Sequence, residues 1–495
     1  MLLRTISVAG SLVAIAAFAT GRAAALAHHH TAVATQPPTS IAITGVVVID
    51  VAQGRRVSGQ TVLITGARIA AVGARIAVPK GTRVIDGRGR FLIPGLWDMH
   101  VHSAVAVDRE FPLYLAQGVT GVRNMHSTAD TALALTNSIK RRLNTGTLVG
   151  PRFLANGPLL DGVGSVHRGA FIVRNADEAR RAVDSLARGG ADFVKLYDYL
   201  PRDAFFAAVA ESRRVGLPVT GHVPYSVSVV EAAESGITSI EHMRGLEYDC
   251  SPVGDSLRAE VSTSLVALAA GTAKPAEVFP VRERVLERAI ATRDEARCAA
   301  AIDVLRRRGT WVVATLGWGS TDGAVIVNDS ARMQFVPART RATWARMVEE
   351  DRTAPQGAWA KRNTADRANI PMLRRAGVPI LSGTDVGDFA LVAGFALHDN
   401  LAQLVATGLT PAEALRTATL NPARYLRATD SLGTVARGKL ADLVLLDGDP
   451  LRNITNTRRI RAVVLNGRYF DRAALDTLLA SSARAANTPA VTNLR

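Results

Sequence analysis

The middle of this 495-residue chain alternates short apolar runs with amphipathic stretches, and it does so eight times. The runs are FLIPGLWDMHVH, GVTGVRNM, GPRFLANG, ADFVKLYDY, LPVTGHVP, ITSIEHM, TWVVATLG and VPILSGTD. Such runs read as buried strands. Between them lie helical patterns such as NADEARRAVDSLARGG and PRDAFFAAVAESRRVG. In the second, Ala204, Phe205, Ala208 and Val209 recur at the spacing of one helix face. Eight strands, most followed by a helix, predict an α/β chain with a (β/α)8 TIM barrel over residues 91–431. The stretch of about 247–300, between the sixth and seventh strands, reads as a helical insertion.

The flanks have another texture. Residues 41–90 carry β-branched runs broken by Gly, namely IAITGVVVID, QTVLITGARIAAVG and TRVIDGRGRFLIPG. Residues 432–472 repeat it with GTVARGKLADLVLLDGDP and IRAVVLNGRYF. The expectation is one small β-sandwich domain built from both chain ends, then a C-terminal helix and tail over 473–495. Residues 1–27 read as a signal peptide: Arg4, the apolar core SLVAIAAFAT, and the small-x-small site Ala25-Leu26-Ala27. A polar leader with three histidines follows over 28–40. The protein is therefore expected to be exported, periplasmic or secreted. No later apolar run reaches the ~18 residues of a membrane span. In an oxidising compartment the pair Cys250 and Cys298 reads as one disulfide.

The formal charge of +16 raises nucleic acid as a partner class. The arginines are scattered, however, and no basic stripe is interleaved with aromatics. They read as solvated faces that could steer an anionic substrate. A small molecule, not nucleic acid, is the expected partner.

Of ten histidines, three lie in the leader. The other seven are His100, His102, His126, His167, His222, His242 and His398, almost all at or beyond the C-terminal end of a proposed strand. In a barrel those ends form one face, where active sites sit. His100 and His102 are two apart and so share one side of a strand. Two imidazoles on one side suit a transition metal such as zinc. His222, His242 and the carboxylate of Asp385 could complete a ligand set. Lys195, inside an apolar strand, is costly if charged. It is either ion-paired, with Asp192 and Asp198 near, or neutral and able to react with carbon dioxide to form an anionic carbamate.

These residues resemble those of the amidohydrolase superfamily: His-x-His after the first strand, Lys195 on the fourth, His222 on the fifth, His242 on the sixth and Asp385 on the eighth. The tail GLTPAEALRTATLNPARYL…LGTVARGKLADLVLLDGDP is similar to the imidazolonepropionase-related branch, which includes Xaa-Pro dipeptidase-like members. The resemblance spans roughly Ile41 to Phe470. It implies two divalent metal ions, zinc favoured. His100, His102 and Asp385 would hold one, and His222 and His242 the other. Lys195, carboxylated by carbon dioxide, would bridge them together with a hydroxide. Asp385 would then be general base and general acid. Asp98 reads as structural. Tyr197, His167 and His398 are candidate substrate contacts, and His126 could line the pocket.

The implied activity is hydrolysis of an amide bond, with a dipeptide or N-acyl amino acid as favoured substrate. A cyclic amide, a lactone or a xenobiotic amide or ester is the alternative on the same site. A catalytically inactive partner-binding protein is the alternative of another class. A homo-oligomer is implied by resemblance only. The runs YDYL after Lys195 and VGDFA after SGTD depart from what relatives often carry, and both fall near the pocket.

Overall fold

The structure is a computed structural model that describes residues 40–127, 131–317, 323–353 and 358–488. The expected signal peptide, nearly all of the leader, and the tail after residue 488 lie outside the described residues. Five strands lead: β1 (Ser40–Asp50), β2 (Arg55–Thr65), β3 (Arg68–Gly73), β4 (Arg83–Asp86) and β5 (Phe91–Pro94). The middle holds β6 (Leu96–Val101), β7 (Val119–Asn124), β8 (Arg152–Ala155), β9 (Leu160–Asp161), β10 (Phe171–Ile172), β11 (Val194–Leu196), β12 (Val219–Gly221), β13 (Ser239–Glu241), β14 (Trp311–Ala314) and β15 (Ile380–Ser382). The last three are β16 (Leu443–Leu446), β17 (Ile460–Leu465) and β18 (Arg468–Phe470).

Both chain ends build one body, but its pairing differs from the expected sandwich of two sheets. A single eight-stranded sheet runs β18-β17-β16-β5-β1-β2-β3, with β4 beside β1. The cause lies in β1, which has irregularities between Ile43 and Val46 and between Val46 and Val48. Its first half pairs with β4 and its second with β5, so one bent strand serves two neighbours. Ile43, Val46, Val62 and Ile64 from one end pack with Leu443, Leu445 and Val464 from the other in a common core.

The run FLIPGLWDMHVH, expected as one strand, is two. β5 belongs to the end sheet, pairing with β16, and β6 begins the parallel strands. Gly95 marks the break. A Cβ there would meet Thr120 Oγ1 at 2.0 Å, so only glycine lets the chain pass β7 this closely.

The eight expected middle strands are present as β6–β8 and β11–β15, and they run parallel. The ladder falls into two pieces, β6-β7-β8 and β10-β9-β11-β12-β13-β14-β15. Backbone hydrogen bonds span the seams: Asp192 N donates to Ala155 O (2.9 Å) at one, and Asp385 N to His100 O (2.8 Å) at the other. Helices cover the strands with apolar stripes. In Ala176–Arg188, Ala179, Val183 and Leu186 are buried, and Asn175 caps the N-terminus by accepting from Glu178 N.

Two helical excursions leave this scaffold. The expected one comprises helices Leu246–Asp249, Gly254–Ala269 and Pro275–Ala291. Helix Glu295–Arg308 leads back to the sheet, and a Cys250–Cys298 disulfide ties the two roots. A second, between β14 and β15, was not expected from the sequence; it ends in helix Ala358–Ala376. Among the described residues no helix is long and apolar enough to cross a membrane.

Candidate active site

The six positions singled out as a ligand set line one cavity of about 410 Å³, at the C-terminal ends of the parallel strands. His100 lies in β6, with His102 just beyond it, and Lys195 lies in β11. His222 and His242 directly follow β12 and β13, and Asp385 follows β15. His242 and Asp385 adopt left-handed backbone, with φ of 57° and 66°, conformations costly for residues with a Cβ. Their amides are held there by Val313 O (3.0 Å) and His100 O (2.8 Å).

Each imidazole is oriented by a different neighbour. His100 Nδ1 donates to Glu241 Oε2 (2.6 Å), and His222 Nδ1 donates to Asp198 Oδ1 (2.8 Å). His242 Nδ1 pairs with Thr315 Oγ1 (2.6 Å). A carboxylate only accepts, so the Nδ1 of His100 and of His222 carries the proton and Nε2 keeps its lone pair. Burial, aided by the charge of Lys195, holds the His222 imidazolium well below its ordinary range.

Three imidazoles turn Nε2 toward one carboxylate. Nε2 of His100, of His102 and of His242 lie 3.1, 3.0 and 3.7 Å from the Asp385 carboxylate. His100 Nε2 has no hydrogen-bond partner. Donor atoms of His100, His242 and Asp385 all lie within 4.8 Å of one another. The His100 lone pair aimed at an anion repels it unless a cation sits between them, and the donor set of His100, His242 and Asp385 fits a divalent metal.

Lys195 is not ion-paired as its neighbours in sequence suggested. Asp192 pairs with Lys140 (2.8 Å), and Asp198 serves His222. Lys195 Nζ is buried with no hydrogen-bond partner. Burial lowers its ammonium to about 8, against the pull of Glu241 and Asp385. Such an amine is far more often neutral than an ordinary lysine. Asp98 acts at the strand ends: it accepts from Thr384 Oγ1 (2.7 Å) and Thr384 N (3.1 Å).

Tyr197 and His167 also line the cavity. The Tyr197 ring lies against His222 (4.1 Å between centroids) and against His167 (4.2 Å). His126 lines it too, next to His167. Burial lowers His126 to about 3 and His167 to about 4, so both are neutral near pH 7. His398 must be corrected. It lies in helix Phe395–Ala406, fully buried, with Nδ1 paired to Thr457 Oγ1 (2.9 Å) and Nε2 to Gln117 O (3.0 Å). Both nitrogens are spent on the core, and it does not line the cavity.

Sequence reasoning missed the orienting groups. Glu241, Asp198 and Thr315 are remote in sequence from at least one partner. Only the words IEHM and LYDY held a signal, as acids beside ligand candidates. Arg244, Arg362, Asn363 and Asp366 also line the cavity, the last three from the second helical excursion.

The sequence profile described as "Amidohydrolase family" matches residues 91–469. An adenine deaminase of Desulforamulus reducens is 22% identical over 436 residues, covering 86% of this chain and 58% of that protein. An adenine deaminase of Mesorhizobium japonicum is 35% identical over 102 residues, 16% of this chain and 17% of that one. The chain thus aligns with less than two thirds of the length of these curated relatives. Among solved structures, a bottromycin amidohydrolase superposes with a TM-score of 0.69 at 24% identity, covering 91% of both chains. A Xaa-Pro dipeptidase superposes at 0.61 and 20% identity, covering 88% of this chain and all of that one. At these identities the likeness shows a shared fold.

Proposed function

This chain belongs to the amidohydrolase family, and from that premise we propose that it is an exported, binuclear metal-dependent hydrolase of amide bonds. The observation that carries the reading is the set of imidazole nitrogens turned on Asp385 beside the orphaned amine of Lys195. His100, His102 and Asp385 would hold one divalent cation, zinc favoured, and His222 and His242 a second. Lys195, carboxylated on Nζ, would bridge them. Bound there, the cations supply a hydroxide near neutral pH and polarise the scissile carbonyl.

The rest falls to side chains of this chain. Asp385 accepts the proton of the attacking oxygen and returns it to the leaving nitrogen. Glu241 and Asp198 hold the His100 and His222 rings, and so keep the site preorganised. Tyr197 and His167 offer hydrogen bonds to the carbonyl oxygen or to a substrate carboxylate. Arg244 and Arg362 add positive charge to the same wall.

A dipeptide or N-acyl amino acid is the favoured substrate. The cavity has the size of a small-molecule site, and the neutral imidazoles and arginines suit a carboxylate. The solved dipeptidase and bottromycin amidohydrolase act as support for an amide substrate. The alignments with adenine deaminases favour a second reading, hydrolysis of a ring-borne or cyclic C–N bond.

Elemental analysis of the purified protein and of Lys195→Ala, beside a substrate screen, tests this. About two metals per chain, falling in the variant, with hydrolysis of dipeptides or N-acyl amino acids, is the expected result. Metal with turnover of aminopurines or cyclic amides alone would favour the second reading. No metal after reconstitution and no hydrolysis would overturn both.

A further inference from the structure

The helical insertion places one charged side chain, Arg282, beside the loops that build the candidate metal site. Helix Pro275–Ala291 carries Arg282, whose side chain is 14% exposed. All three guanidinium nitrogens are engaged. Nη1 donates to the Tyr199 hydroxyl, Nε to the Tyr225 hydroxyl (3.1 Å), and Nη2 lies 3.8 Å from Asp198 Oδ2.

These partners sit where the site is built. Tyr199 follows β11, the strand of Lys195, and Tyr225 follows β12, just after His222. Tyr225 N donates to Asp198 O (3.2 Å), tying the two loops together. Asp198 is buried, and its other carboxylate oxygen holds His222 Nδ1. Arg244 Nε approaches that same oxygen to 3.7 Å. The carboxylate is thus approached by two guanidinium groups and one imidazole.

We propose that Arg282 is a positioning residue for the metal site: delivered by the insertion, it fixes Asp198 and through it the His222 ring. The planar fork spans two loop ends and an anion at once, which lysine's point charge cannot do. The insertion is held in place for this by its root. There Cys250 and Cys298 are bridged, Asp294 N donates to Cys250 O (2.8 Å), and Ser251 Oγ meets Thr292 Oγ1 (2.7 Å). Losing a partner that orients a ligand imidazole costs about 10- to 100-fold in metal affinity.

The proposal rests on the metallohydrolase reading, and its test reads metal retention. Full-length protein loaded with zinc is dialysed against graded chelator, and zinc per chain is counted. Arg282→Met keeps an unbranched stem of similar length and removes the guanidinium. Arg284→Met is the control: Arg284 lies on the same helix as Arg282, is exposed, and pairs with Glu260 of helix Gly254–Ala269. We expect Arg282→Met to lose one of its two ions at about 10-fold lower chelator, or less, with the control unchanged. A folded Arg282→Met that keeps both ions as the wild type does overturns the proposal alone. Wild type that takes up no zinc overturns the metal reading with it. If Arg282→Met does not fold, Arg282→Lys carries the test. Earlier loss of one ion supports the proposal, and retention equal to wild type overturns it.

Discussion

Glu241 takes four hydrogen bonds where no water reaches, from His100, Arg123, Ser239 and Thr220. Burial alone would raise its carboxyl. The Arg123 charge and the His100 bond outweigh it and hold the group well below its usual range. Glu241→Gln leaves the Arg123 guanidinium as an uncompensated buried charge. The expected loss is about 3–5 kcal/mol, read from urea unfolding of metal-free protein. His398 gives a pH test away from the site. Burial lowers it from 6.5 to about 4, so the fold holds it neutral. The unfolded chain binds its proton more readily, so stability is lost as pH falls from 6.5 to 4. His398→Gln should remove up to about 3 kcal/mol of that acid sensitivity, measured by unfolding at pH 7.5 and 4.5. Period and strand end are local signals, and they exposed four histidines and Asp385 as ligand candidates; the bridging role of Lys195 came only from the family resemblance. The sequence could not expose Glu241 as the partner of His100, 141 positions away. It misled on His398, because its burial depends on Gln117 and Thr457, neither of which is near in sequence.

At the scale of elements, the apolar runs were legible as strands, and all eight are found. Their assignment to sheets was not. FLIPGLWDMHVH reads as one run because Leu96, Trp97, Met99 and Val101 continue the apolar Phe91–Pro94, and only Gly95 separates them. Gly95→Ala should cost about 1–3 kcal/mol, since the added methyl overlaps Thr120 Oγ1 and Cγ2 at 2.0 and 2.7 Å. A urea midpoint shift at unchanged slope checks it. The first excursion was legible from its length and cysteines. The second carried no such mark, yet helix Ala358–Ala376 supplies Arg362, Asn363 and Asp366 to the cavity wall.

For the molecule as a whole, the disulfide closes a loop with a separation of 48 residues. In the chain-entropy account that is worth about 4 kcal/mol. Cys250→Ser with Cys298→Ser should lower stability by up to that amount, and a reducing agent should destabilise the wild type but not the double variant. The sheet built from both ends has a consequence for biosynthesis. One edge partner of β5, β1, is made before it, but the other, β16, is roughly 350 residues further along. At about 5–20 residues per second, that edge waits on the order of tens of seconds on a ribosome. Leu92, wholly buried in the finished protein, lacks until then the Leu443 and Leu445 of its core. The nascent chain is therefore at its most adhesive until its closing segment arrives, and a holding chaperone would have its natural task in that interval.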